Sequence, residues 1–141
     1  MCADLARQIV QDGEGATVLL EIGVVGAASE RDAQAIACRI ATSSLVKTAA
    51  FGRDPNWGRV LAAAGSATSN GGFARLDPEL LTVSFNGTPV FDRGAPSGSV
   101  PALDGAALRI ELDLGLGSGT ASYLASDLSY EYVRVNAEYR T

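Results

Sequence analysis

The sequence predicts an α+β layered domain, a sandwich of helices on a sheet of mainly antiparallel strands, occupying residues 1–141 as one unit. Three observations predict it. Apolar residues recur at helical spacing in the first part of the chain, over Cys2–Gln11 and again after Ser29. From Leu80 onwards the period switches to two, and turn signals at Asn86-Gly87 and Gly115–Gly119 separate the alternating segments. Helices early and meandering strands afterwards make an α+β order, in which a helical layer covers one sheet.

The elements follow in chain order. Leu5, Ile9 and Val10 share one face of a helix over Cys2–Gln11, with Asp4, Arg7, Gln8 and Gln11 elsewhere. That pattern is already running at residue 2 without a capping residue ahead of it, so the natural element is expected to begin upstream of Met1. Asp12-Gly13-Glu14-Gly15 breaks it. Ala16–Val25 is nearly continuously apolar and rich in β-branched residues, which predicts a buried strand with Glu21 as the exception. Ser29, with Asp32 three positions on, is an N-cap signal for a helix carrying Ile36, Ala37 and Ile40 to about Ala41, where Thr42-Ser43-Ser44 ends it.

The stretch from Lys47 to Arg59, KTAAFGRDPNWGR, holds Gly52, Pro55, Gly58, the only Trp and the only Lys, too much punctuation for a helix or strand. Asp54-Pro55-Asn56 reads as a turn, and Asn56 as the N-cap of a small-residue helix from Trp57 to Ala67 that stops before Asn70-Gly71-Gly72. Leu81, Val83 and Phe85 then alternate with Thr82 and Ser84, Asn86-Gly87 makes a hairpin, and Pro89-Val90-Phe91 begins the return strand. Arg93–Gly105 reads as an exposed connection. Leu108, Ile110, Leu112 and Leu114 form the clearest strand, with Thr120–Asp127 expected as its antiparallel partner and Tyr130–Tyr139 as a last strand.

Composition limits the chemistry. Hydrophobic residues make up 47% and charged residues 19%, a low charge fraction that leaves surface for a partner. A net charge of -5 with a single lysine argues against nucleic acid, which needs clustered cations. No apolar run is long enough to span a bilayer, and the start of the chain lacks a signal-peptide profile, so a cytoplasmic protein without membrane contact is expected. Histidine is absent, which removes His-dependent triads and most zinc hydrolase sites. Cys2 and Cys38 lie at no metal-ligand spacing and are expected to be reduced, buried or half-buried thiols. No metal and no cofactor is expected.

Two local features admit a functional reading. Trp57 and the charges around it either anchor the core beneath a loop or wall a site. Glu14, between two glycines, is either a solvated turn acid or a carboxylate aimed at a cation.

DGEGAT (Asp12–Thr17), LVKTAAFGRDPNWGR (Leu45–Arg59), SDLSYEYV (Ser126–Val133) and NAEYRT (Asn136–Thr141), in this order, resemble the ornithine acetyltransferase family, the bifunctional glutamate N-acetyltransferases of arginine biosynthesis. The resemblance spans essentially the whole chain but only the C-terminal part of that family's protein. It implies an N-terminal-nucleophile-like α/β sandwich of the self-cleaving aminopeptidase type. Family members cleave themselves before a threonine, which takes an acetyl group from N-acetylornithine and passes it to glutamate in a ping-pong cycle without acetyl coenzyme A. That threonine and the oxyanion-stabilising residues lie outside this chain, so no catalytic residue is assigned within it. The resemblance does imply substrate-binding roles for Glu14, Asn136 and Thr141: a carboxylate for the ornithine ammonium, and an amide and a hydroxyl for its polar groups. The implied partners are the missing N-terminal portion, N-acetylornithine, ornithine and glutamate, in a heterotetramer of two cleaved precursors.

One departure bears on specificity: Val18 stands where the family usually has lysine after DGEGAT. Lys47, Arg53, Asp54 and Arg59 are expected to order the wall of the site or the chain–chain interface more than to touch substrate. Two other functions compete. One is a non-catalytic amino-acid-binding or structural remnant of a truncated gene; the other is an independent hydrolase using Thr17 or another internal hydroxyl, for which no activating base lies at a recognisable spacing.

Overall fold

The apolar run beginning at Val18 becomes the strand around which the sheet is assembled. A computed structural model describes residues 1–140. Its elements are α1 (Cys2–Gln11), β1 (Leu19–Ala27), α2 (Glu30–Ala41), α3 (Ser44–Phe51), α4 (Trp57–Gly65), β2 (Thr68–Ser69), β3 (Gly72–Phe73), β4 (Thr82–Phe85), β5 (Thr88–Asp92), β6 (Ala95–Pro96), β7 (Ala107–Asp113), β8 (Gly119–Ser126) and α5 (Tyr130–Glu138). Six strands form one sheet in the order β6-β5-β4-β7-β1-β8, and β2 with β3 make a separate short hairpin. Only β1 and β7 pair in parallel; the other neighbours are antiparallel. The expected α+β layering with mainly antiparallel strands is therefore what the chain adopts.

Alternation along the strands sorts the two faces of this sheet. Leu20, Ile22 and Val24 of β1, Leu108, Ile110 and Leu112 of β7, and Val83 and Phe85 of β4 are buried. They join Ala33, Ile36, Ala37 and Ile40 of α2 and Val60, Ala63 and Ala64 of α4 in one cluster. The alanines let the helices approach closely, so the core is filled at short range. Glu21 lies on the opposite face, where α1 crosses the sheet and Arg7 pairs with it.

Several local rules hold as expected. Ser29 Oγ accepts from Asp32 N–H at 3.1 Å and starts α2, and Asn56 Oδ1 accepts from Arg59 N–H at 3.0 Å and starts α4. Asn86 and Gly87 take φ of 48° and 82°, the pair of left-handed conformations that a two-residue hairpin requires.

The structure corrects other expectations. Tyr130–Glu138 is a helix and not a strand. Ser129 Oγ caps it by accepting from Tyr132 N–H at 3.0 Å, and Arg134 pairs with Glu131 and Glu138 along one side, so local polar bonds outweigh the β preference of its Tyr and Val residues. The punctuated stretch also begins inside a helix, because Ser43 Oγ accepts from Val46 N–H and α3 runs on to Phe51.

β8 does not pair with β7; β1 lies between them. The glycine-rich turn steps over the end of β1, with Leu116 and Gly117 N–H both donating to Gly26 O at 2.7 and 2.9 Å. A strand apolar on most of its length gains most from two neighbours, and this turn is long enough to leave it room. The connection from Arg93 is only partly exposed, since Pro101 and Leu103 are buried. Cys2 is exposed, contrary to expectation, because no part of α1 is buried; Cys38 is half-buried.

Candidate functional site

The candidate site is built where the DGEGAT loop meets the end of β8 and the start of α5. After α1, Ala16 N–H donates to Gly13 O at 3.1 Å, closing a turn that carries Glu14 at its exposed tip. Gly15 then takes φ +76°, and a Cβ on it would lie 2.6 Å from Tyr132 Cα. Only glycine lets the loop lie this close to the first turn of α5.

Asp127, 1% exposed, holds the loop from below. Its Oδ1 accepts from Thr17 N–H at 2.8 Å and from Val18 N–H at 3.1 Å, and its Oδ2 accepts from the Thr17 hydroxyl. Its own N–H donates to Val18 O at 3.1 Å. Ser129 adds a second fastening: its hydroxyl donates to Gly15 O while its oxygen accepts the Tyr132 N–H. Leu128 N–H donates to Lys47 O at 3.2 Å, and the Phe51 and Tyr130 rings meet edge to face with centroids 5.1 Å apart, so α3 is tied to the same node. A buried carboxylate satisfied by three donors is a strong fixing point, because each donor would otherwise be left without a partner.

Of the residues expected to bind substrate, Glu14 is exposed on the loop and Asn136 is exposed on α5, one turn beyond Tyr132. Asn136 Nδ2 donates to Tyr132 O at 2.9 Å. The same Tyr132 lies against Gly15, so the structure brings the segments carrying Glu14 and Asn136 together through one residue. Thr141 lies outside the described residues. Val18 is 2% exposed and belongs to the core, so the valine serves packing under the loop and not its surface.

The hydroxyl of Thr17 is engaged in closing the loop on Asp127, which gives it a structural task in place of a nucleophilic one. Sequence reasoning passed over Asp127, Ser129 and Thr17 in this arrangement. For Ser129 the available signal was a capping serine with the acidic Glu131 in the first turn of the helix after it.

The DPNWGR stretch braces the fold. Arg53, at φ 55°, donates from Nη1 to Leu103 O at 2.8 Å and also to Gly105 O. Arg59 Nη1 donates to Leu45 O at 3.1 Å, Asp54 Oδ2 accepts from Asn56 Nδ2 at 3.0 Å, and Trp57 stacks at a tilt on Phe91 with centroids 4.9 Å apart. Lys47 is half-buried.

Around the node, Glu131 is held below the ordinary carboxylate value by the hydrogen bond from Arg134, helped by that residue's charge. The Cys38 thiol raises the Tyr123 phenol through a hydrogen bond.

A cleft of about 470 Å³ opens between α1 and β8, lined by Ile9, Val10 and Tyr123, and another of about 350 Å³ lies beside Arg53 and Leu103. Neither includes Glu14 or Asn136. Among the described residues no group of three or more His, Cys, Asp or Glu could hold a metal ion. No helix there is long and apolar enough to cross a membrane.

Comparison with known proteins decides the family. The model of the ArgJ family matches residues 1–141. The chain belongs to the ArgJ family. The resemblance carried by its four motifs is thus a true membership. Arginine biosynthesis bifunctional protein ArgJ of Syntrophotalea carbinolica is 46% identical over 144 residues, covering 98% of this chain and 35% of that protein. The protein of the same name from Mycolicibacterium paratuberculosis is 47% identical, covering 99% of this chain and 34% of its own length.

The crystal structure of arginine biosynthesis bifunctional protein ArgJ from Bacillus halodurans superimposes with a TM-score of 0.88 at 36% identity, covering 98% of this chain and 65% of that one. That likeness agrees with the N-terminal-nucleophile-like class expected of an ArgJ protein. The chain spans about one third of the length of the curated ArgJ relatives it matches.

Proposed function

We propose that this chain is the C-terminal part of an ornithine acetyltransferase and supplies one wall of its amino-acid pocket. The observation that carries the reading is the docking of the Glu14 loop against α5, which bears Asn136, in a chain matched along its whole length by the ArgJ family. In this reading residues 1–141 act as one domain in the cytoplasm, within a heterotetramer completed by the upstream portion. The upstream threonine attacks the acetyl carbonyl of N-acetylornithine, ornithine leaves, and the glutamate amine then takes the acetyl group from the threonine ester. Glu14 receives the ornithine ammonium in a charge-assisted hydrogen bond, while the Asn136 amide and the Thr141 hydroxyl bond the polar groups of the amino acid. Lys47, Arg53, Asp54 and Arg59 support this wall and do not take part in the chemistry.

The test has two steps. A native mass spectrum of the protein purified from its host is expected to show a complex with partner chains, one of them beginning with threonine. In that complex, Glu14→Gln is expected to raise KM for N-acetylornithine about tenfold, the loss of one charge-assisted bond. A lone chain without transferase activity would overturn the reading in favour of a non-catalytic remnant.

A further inference from the structure

The Ser126–Ser129 segment joins the loop, α3 and α5, yet no substrate-binding role has been given to it. Its fastenings are specific. Asp127 is 1% exposed and Ser129 3%, and their side chains bond to Thr17, Val18, Gly15 and Tyr132. These bonds grip both sides of the joint between the two candidate binding elements. Thr17 and Val18 fix the loop just after Glu14, and Gly15 O fixes it one residue beyond. Tyr132 N–H fixes the first turn of α5, from which Asn136 projects one turn later.

Ser129 is the pivotal group, because a single hydroxyl donates to the loop and accepts from the helix. The Ser129 oxygen thus ties the Glu14 loop to the Asn136 helix where Gly15 packs on Tyr132, while Asp127 keeps the loop from lifting off. The Ala16–Gly13 bond closes the turn but does not tie it to α5, and the Glu14 side chain at its tip carries several rotatable bonds.

We propose that Asp127 and Ser129 are positioning residues for amino-acid recognition: their clasp on Gly15, Thr17 and Val18 fixes the spacing of Glu14 from Asn136 and so selects the length of the ammonium-bearing substrate arm. The inference rests on the reading of Glu14 as the ammonium-binding group. Recognition of a terminal ammonium by a carboxylate depends on reach, and a loop free to move accepts arms of more than one length. A held loop discriminates. Loosening the clasp should thus weaken binding of N-acetylornithine more than it slows the chemistry, and should narrow the preference over a homologue with one methylene more or less in its arm.

The experiment uses the assembled complex. Thr17→Val, Ser129→Ala and Asp127→Asn are compared with Glu14→Gln by kcat and KM for N-acetylornithine and for N-acetyllysine, which has one methylene more. Melting temperature is recorded for each protein to separate folding from recognition. The clasp variants are expected to raise KM for N-acetylornithine about tenfold with kcat little changed, the loss of one hydrogen bond to a positioned group. They are also expected to reduce the preference for N-acetylornithine over N-acetyllysine, and Thr17→Ser is expected to restore it.

Combining Thr17→Val with Glu14→Gln should be little worse than Glu14→Gln alone, since one acts through the other. Effects that multiply, or a lowered melting temperature with KM and preference unchanged, would overturn the inference while leaving Glu14 as a binding residue. An unchanged KM in Glu14→Gln would remove the underlying reading and this inference with it.

Discussion

Gly15 and Asp127 make opposite demands on the same loop, one needing no side chain and the other needing all of its oxygen atoms. A methyl group at Gly15 would press on the backbone of Tyr132 and would have to adopt φ +76°. Gly15→Ala is therefore expected to destabilise the protein by about 1–3 kcal/mol, measured by urea unfolding. Asp127→Ala leaves the buried Val18 N–H without an acceptor and frees the Thr17 hydroxyl, and is expected to cost about 2–4 kcal/mol in the same measurement. Glu14→Ala, at an exposed position, should stay within about 0.5 kcal/mol of the parent. The exposed Glu14 and the buried Asp127 are thus separable by their effect on stability. The turn that carries Glu14 was legible in the sequence because its glycines are contiguous with it. Asp127 was not, because its partners lie at the other end of the chain, and such pairings leave no periodic trace.

Helix α5 shows what local patterning resolves and what it does not. Its Tyr and Val residues favour strand, but Tyr132-Val133 breaks a period of two, and the Ser129 cap with the Arg134 pairs settles the matter. The pH response follows from Glu131. Its carboxyl is held below the ordinary 4.5 by Arg134, so the pairing stabilises the folded helix fully above that value and is lost as pH falls through the lowered one. The protection factor of α5 amides, exchange relative to the unstructured chain at the same pH, is expected to fall on acidification below the ordinary carboxylate range and to be flat near neutrality; the Arg134→Met protein should lose this dependence. Helices α2 and α4 and the Asn86-Gly87 hairpin were legible because caps and turns are codes of a few adjacent residues. Helix α3 is too short to display a period, and the neighbours of β1 depend on how a turn steps over a strand, which adjacent residues do not specify.

The molecule's core is continuous from α4 to β8, so unfolding should be one event. Trp57, against β5, and far-UV circular dichroism, weighted to all the helices and the sheet, are expected to give coincident urea transitions; two separated midpoints would divide the chain into independent units. Phe85→Ala, at a side chain 2% exposed, should lower stability by about 3–5 kcal/mol in that assay. The placing of β1 between β7 and β8 has a kinetic consequence. Leu19 pairs with Ala107 on one side and Ser126 on the other, so β1, once it has left a ribosome, meets neither of these neighbours until some ninety further residues have followed it. Distant closures of this kind are slow, because the entropy of the intervening loop is lost before any contact is gained. During synthesis the most apolar segment of the domain therefore waits the longest for shelter, and a nascent chain halted before β8 presents it bare along one edge.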